Sequence, residues 1–250
     1  MRDAFPIFVG YDSREHDAAV VCEHSLRRHS SAPLMIQRLH EPSLRHAGLY
    51  TRPWTATGGQ KYDALDGKPF STNFSFSRWL VPTLMQHRGW AMFVDCDFLF
   101  LGDVADLFAC ADDRYAVQVV KHRMPEVEGV KMDGQAQQPY ARKNWSSCII
   151  WNCGHASNQR LTPAAVNSMS GQWLHGFSWL DDHEIGMIPA DWNWLAGVDA
   201  PLGRDPQAIH FTLGSPDMPG HEDAPYAYLW RQELALATSG APLQSAASMR

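Results

Sequence analysis

The chain has 250 residues, 45% of them hydrophobic and 19% charged, the balance of a folded globular protein able to bury a sizeable core in one α/β domain. Its net charge of −6 gives no general attraction to nucleic acid or anionic lipid, which excludes polyanion binding as the main task. No run reaches the roughly 20 apolar residues that an integral membrane segment needs, and the stretch around Asp3 and Pro6 lacks the basic start and long apolar run of a secretory signal.

Residues 5–10 read as a buried first strand ending in a polar turn at 11–16. Asp12 followed three places later by Glu15 has the form of a capping box, and Ala18, Val21, Cys22, Ser25 and Leu26 then share one face of an amphipathic helix. A second strand opens at Leu34 after Pro33. This β-α-β order is the unit of a mainly parallel sheet covered by helices. Residues 41–73, rich in Gly, Pro, Thr and polar side chains, are expected to form a long loop over the sheet, a lid or substrate wall.

Helical spacing returns at Phe76, Trp79, Leu80, Thr83, Leu84 and His87, with Pro82 predicting a kink or a late start. A short helix near 104–109 and a strand at 115–120 precede a second irregular segment at 121–143. That segment carries Lys121, His122, Arg123, Lys131, Arg142 and Lys143, either plainly solvated or facing phosphate or acceptor. A strand at 147–151 and helical patterns at 163–169 and Trp173-Leu174 follow. The domain is expected to span 1–236, with 237–250 a flexible tail of small and polar residues. The five cysteines are odd in number and mostly within apolar patterns, which points to reduced core thiols and a cytoplasmic protein. The ten tryptophans serve core packing, while Trp54, Tyr62 and Trp145 could equally stack on sugar.

The segment Phe93-Val94-Asp95-Cys96-Asp97 carries the chemistry. Strand side chains alternate, so Asp95 and Asp97 leave one face where the strand runs out. Asp-x-Asp in a solvated turn means little, but here apolar runs at 91–94 and 98–101 flank it, and charges inside such a run are paired or metal-bound. Oxygen ligands select Mg²⁺ or Mn²⁺, ions that keep coordination positions for substrate phosphates. A nucleotide-diphosphate substrate follows.

The Gly10-Tyr11-Asp12 turn, Ser77-Arg78-Trp79-Leu80-Val81-Pro82, the Asp-x-Asp pair, Trp179-Leu180-Asp181-Asp182-His183, Asp191-Trp192-Asn193-Trp194 and Ile209-His210-Phe211 stand in the order found in GT-A glycosyltransferases. In detail they resemble family 8, the glycogenin and lipopolysaccharide galactosyltransferase group, over residues 5 to about 215. The resemblance implies an α/β GT-A fold, a mixed, mainly parallel central sheet flanked by helices, and a retaining hexosyltransferase that uses a UDP-sugar donor and a hydroxyl acceptor such as a glycan. It implies Mn²⁺ (or Mg²⁺) on Asp95, Asp97 and His210. It implies nucleotide contacts from Val9, Gly10, Tyr11, Asp12 and Cys96, an Arg78 reaching donor phosphate or sugar, and Asp181 and Asp182 at the anomeric face.

Each assignment has a plain alternative: a helix cap for Asp12, a surface ion pair for Arg78, a structural role for His210. Two departures from the resemblance bear on function. Asn144-Trp145-Ser146-Ser147-Cys148 replaces an Asn-Ser/Ala-Gly run, so sugar choice does not transfer, and the segment after His210 lacks the family's lysine. Phosphate stabilisation then falls to Lys121, Lys143 or backbone N–H groups near Gly214. A non-catalytic nucleotide-sugar-binding protein and a Mg²⁺-dependent phosphohydrolase are the competing readings.

Overall fold

The computed structural model describes residues 4–122, 142 and 144–240, and the backbone at 130–131 and 135–136. Strand β1 (Phe5–Tyr11) is buried through its centre. A 3₁₀ turn at Ser13–Glu15 leads into α1 (His16–His29), which buries Ala18, Ala19, Val21, Cys22, Ser25 and Leu26, the face that the spacing predicts. Asp12 caps the turn through the Arg14 N–H. The expected capping box is replaced by this arrangement, and Glu15 turns inward to the cavity described below.

Strand β2 (Leu34–His40) pairs parallel with β1. Residues 41–73 are largely structured, contrary to the loop expected there: α2 (Glu41–His46) is followed by β3 (Trp54–Thr57), β4 (Gln60–Asp63) and β5 (Pro69–Phe70), an antiparallel three-stranded sheet. Gly58 and Gly59, both at positive φ (58° and 84°), make the β3–β4 turn, the backbone that a two-residue hairpin needs. All four β3 side chains are exposed, so no alternation of apolar residues marks the hairpin. Arg52 ties this sheet to the rest. Its buried guanidinium pairs with Asp63 and donates to the carbonyls of Val166 (2.9 Å) and Met169 (2.7 Å).

Helix α3 (Val81–Leu84) carries Pro82 in its first turn, where proline's missing N–H has no partner to lose. Strands β6 (Trp90–Val94) and β7 (Phe98–Phe100) flank the acidic pair, then come α4 (Val104–Phe108), β8 (Val117–Val119), and a two-stranded ladder of β9 (Val130–Lys131) with β10 (Gln135–Ala136). Strand β11 (Cys148–Asn152), α5 (Pro163–Ser168), α6 (Gly171–His175), β12 (Ile185–Met187), β13 (Trp194–Leu195), β14 (Ala208–His210) and α7 (Ala227–Thr238) complete the chain. Helix α7 crosses the domain boundary expected at 236; Arg123, Lys143 and residues 241–250 of the expected tail lie outside the described residues.

The main sheet has the order β12-β8-β11-β6-β1-β2. Its β1–β2, β1–β6 and β8–β12 pairs are parallel, and β11 is antiparallel to β6 and β8. A smaller sheet, β13-β14-β7, receives the chain as it leaves β6. Trp79, Trp151 and Trp179 are buried among Phe177 and His175 behind the site, with ring centroids of Trp79 5.2–6.1 Å from these neighbours. No helix among the described residues is long and apolar enough to cross a membrane.

Candidate active site and metal centre

Residues 95–97 form the crossover from the large sheet to the small one. The Asp95 N–H donates to the Ser147 carbonyl (2.8 Å) and the Phe211 N–H to the Asp97 carbonyl (2.9 Å), so each carboxylate stands on a backbone pinned to a different strand end. Cys96 points the other way and is fully buried. Burial pushes its thiol well above the usual range, with Glu15 adding to the rise. Antiparallel pairing of β14 with β7 sets His210 opposite Phe98, whose ring stacks on the imidazole at 4.4 Å. Asp95, Asp97 and His210 thereby converge with ligand atoms within 4.8 Å of one another; His210 Nε2 lies 3.3 Å from Asp97 Oδ2. Two carboxylates and one imidazole suit a hard or borderline divalent ion such as Mn²⁺ or Mg²⁺.

The triad sits in the wall of a cavity of about 710 Å³, within the range of small-molecule sites. Arg78 enters from the Ser77–Leu80 3₁₀ turn, lies over Phe93 and Phe74, donates from Nη1 to the Ser146 carbonyl at 2.8 Å and forms an ion pair with Asp95, its Nη1 2.8 Å from Asp95 Oδ1. Its Nε is buried without a hydrogen-bond partner. Asp95, Asp97, His210 and Arg78 thus line one cavity together.

The nucleotide loop does not follow the expectation. Val9 is fully buried. Gly10 lies against Phe74 so closely that a Cβ would stand 2.5 Å from its ring. Tyr11 packs with His16, His40 and Arg38 instead of facing the cavity. Asp12, 1% exposed, accepts from Arg14, Lys61 and the Asn73 N–H. Burial raises its carboxyl, but the Arg14 hydrogen bonds and the charges of Lys61 and Arg14 outweigh burial and hold it at about 2. From this segment Glu15 lines the cavity instead. It is 1% exposed, its Oε2 has no hydrogen-bond partner, and burial together with Asp97, Asp12 and Asp95 pushes its carboxyl well above the usual range. A buried carboxyl aimed into a cavity is a functional candidate, and the capping pattern in the sequence conceals it.

Asp181 donates its N–H to Glu184 (2.8 Å) at the mouth of a 3₁₀ turn. Asp182 is 91% exposed and pairs with Arg142, which itself lines the cavity. The Gly214 N–H is committed to the Phe211 carbonyl (2.9 Å), and Lys121 lies over Trp145, so neither faces the triad. His175 is a cavity residue that the sequence did not single out. Burial and the nearby Arg78 and Arg52 lower its imidazole to about 3, leaving it neutral.

Over 234 residues the chain is 45% identical to Protein CDI of Arabidopsis thaliana, an alignment covering 92% of this chain and 86% of that protein. The chain belongs to the family of Protein CDI. No protein-family model matches it. Among solved structures it superposes on the bifunctional glycosyltransferase WbbM with a TM-score of 0.62 at 10% identity, over 100% of this chain and 51% of WbbM. It matches glycosyltransferase GlyE of Streptococcus pneumoniae at 0.56 and 14% identity (92% of this chain, 60% of GlyE). It matches galactosyltransferase LgtC, in complex with donor and acceptor sugar analogs, at 0.54 and 14% identity (95% and 98%). The chain therefore spans about half of WbbM and three-fifths of GlyE. The fold is that of GT-A glycosyltransferases, the α/β class expected from the sequence.

Proposed function

We propose that the protein is a metal-dependent glycosyltransferase of the family 8 kind, moving a hexosyl group from a UDP-sugar to a hydroxyl acceptor with retention of configuration. The observation that carries this reading is the convergence of Asp95, Asp97 and His210 on one cavity of a GT-A fold. The metal, when bound, would offset the charge of a diphosphate leaving group. Arg78 supplies a second positive charge to the same wall, with a planar fork suited to phosphate or sugar oxygens. The acceptor class is a glycan, a lipopolysaccharide-type sugar or a small glycoside. Free cysteines throughout the chain fit a reducing, cytoplasmic setting.

Asp181 and Asp182 are assigned the anomeric face on the resemblance. The signature of that role is Asp182→Asn cutting turnover far more than donor binding, and equal losses would remove it. The missing lysine after His210 and the committed Gly214 N–H favour a second reading, a nucleotide-sugar-binding protein without turnover. The test is calorimetric titration of UDP and a panel of UDP-sugars, with Mn²⁺ and with chelator, on wild type and Asp97→Ala. Metal-dependent binding that the variant loses supports the donor site, sugar release or transfer separates enzyme from binder, and absence of nucleotide binding in either condition overturns both.

A further inference from the structure

The protons around His210 are ordered by a buried chain that ends on a backbone carbonyl. The Asn144 carbonyl can only accept, and the Ser147 hydroxyl donates to it at 2.7 Å. With its proton so directed, Ser147 Oγ meets Asn193 Nδ2, at 2.9 Å, as an acceptor. That fixes the amide: Asn193 Oδ1 faces His210 Nδ1 at 3.0 Å and requires an N–H there. The neutral imidazole then carries its proton on Nδ1 and turns the Nε2 lone pair toward Asp97. Asn193 is fully buried, and Ser147 and His210 are 3% and 2% exposed, so water does not compete for these bonds. Ser147 also receives the Asp95 N–H on its own carbonyl; one residue thus braces two of the three candidate ligands. His122 also meets this chain, through a side-chain hydrogen bond with Asn193, while its own Nε2 is buried with no hydrogen-bond partner.

We infer that Asn193, braced by Ser147, is the positioning residue that sets the tautomer and ring orientation of His210 for divalent-cation binding. Metal-binding histidines are commonly held this way through their second nitrogen. The inference rests on the proposed metal site for its purpose, but the tautomer is measurable without metal.

The test uses the full chain. In chelator at mildly alkaline pH, long-range ¹H–¹⁵N spectra report which His210 nitrogen carries the proton, and calorimetry with MnCl₂ alone reports affinity. Wild type should show Nδ1–H. Asn193→Leu, which keeps the size and removes the acceptor, should lose that preference and about 10- to 100-fold in Mn²⁺ affinity. Asn193→Asp, which keeps an acceptor oxygen, should retain Nδ1–H and much of the affinity. Should Asn193→Leu not fold, Ser147→Ala is read by the same signals, with partial loss expected. A folded Asn193→Leu or Ser147→Ala with wild-type tautomer and wild-type affinity overturns the inference, as does Nε2–H in the wild type. If wild type binds no Mn²⁺ the proposed function fails, while the tautomer spectra still decide this point.

Discussion

Replacing Asp12 by Asn tests whether the exit of β1 is held by a buried charge. Asp12 is shape-matched by Asn, so the change removes charge and little volume. In the folded chain its carboxyl sits at about 2 against 3.8 ordinarily. At about 1.4 kcal/mol per pH unit this difference contributes roughly 2 kcal/mol of stability. Because the folded value is the lower one, the unfolded chain takes up the proton first as pH falls. The contribution is therefore complete above about pH 4 and disappears as pH falls through about 2. Urea unfolding of wild type and Asp12→Asn in chelator, from pH 7 downward, should give curves about 2 kcal/mol apart at neutral pH that converge toward pH 2. The same variant frees Lys61 and the Asn73 N–H and so loosens the 69–76 wall of the cavity, and metal-dependent nucleotide binding should weaken with stability. A gap that stays constant between pH 5 and pH 2, or no gap at neutral pH, would refute the reasoning.

Arg52→Met should cost about 3–5 kcal/mol, since it leaves Asp63 buried without its counter-charge, and Arg52→Met/Asp63→Leu should recover much of it in the same urea assay. Gly10→Ala drives a Cβ to 2.5 Å from Phe74 Cδ2, far inside carbon–carbon contact, and should destabilise by about 1–3 kcal/mol; Phe74→Leu on that background should restore part of the loss. His175, held neutral at about 3 by burial and by Arg78 and Arg52, makes the wild type lose stability as pH falls below its ordinary value of 6.5. His175→Gln should flatten that acid slope, and an unchanged slope would show that the buried ring does not generate it.

What the sequence shows of this fold follows the range over which each signal acts. The buried face of α1 and the Asp95–Asp97 pair are set by neighbours a few residues away, so periodicity and apolar flanks disclose them. The β3–β4 hairpin is set by the Gly58-Gly59 turn, but its β3 side chains are all exposed and give no alternation to read. Glu15 shows the opposite failure. Asp12 and Glu15 have the spacing of a cap, and the difference lies in Asn73 and Lys61, 61 and 49 residues from Asp12, which join Arg14 on its carboxylate. His210 reaches the acidic pair through β7–β14 pairing and the Phe98 ring, contacts that no local pattern encodes. Its place therefore came from motif order, whereas the orientation of its ring depends on Asn193 and Ser147, side chains 17 residues before it and 46 residues before that. Long-range polar partners decide which of several chemically equivalent side chains is turned to the cavity. It is there that a substitution remote in sequence would be felt at the candidate metal centre.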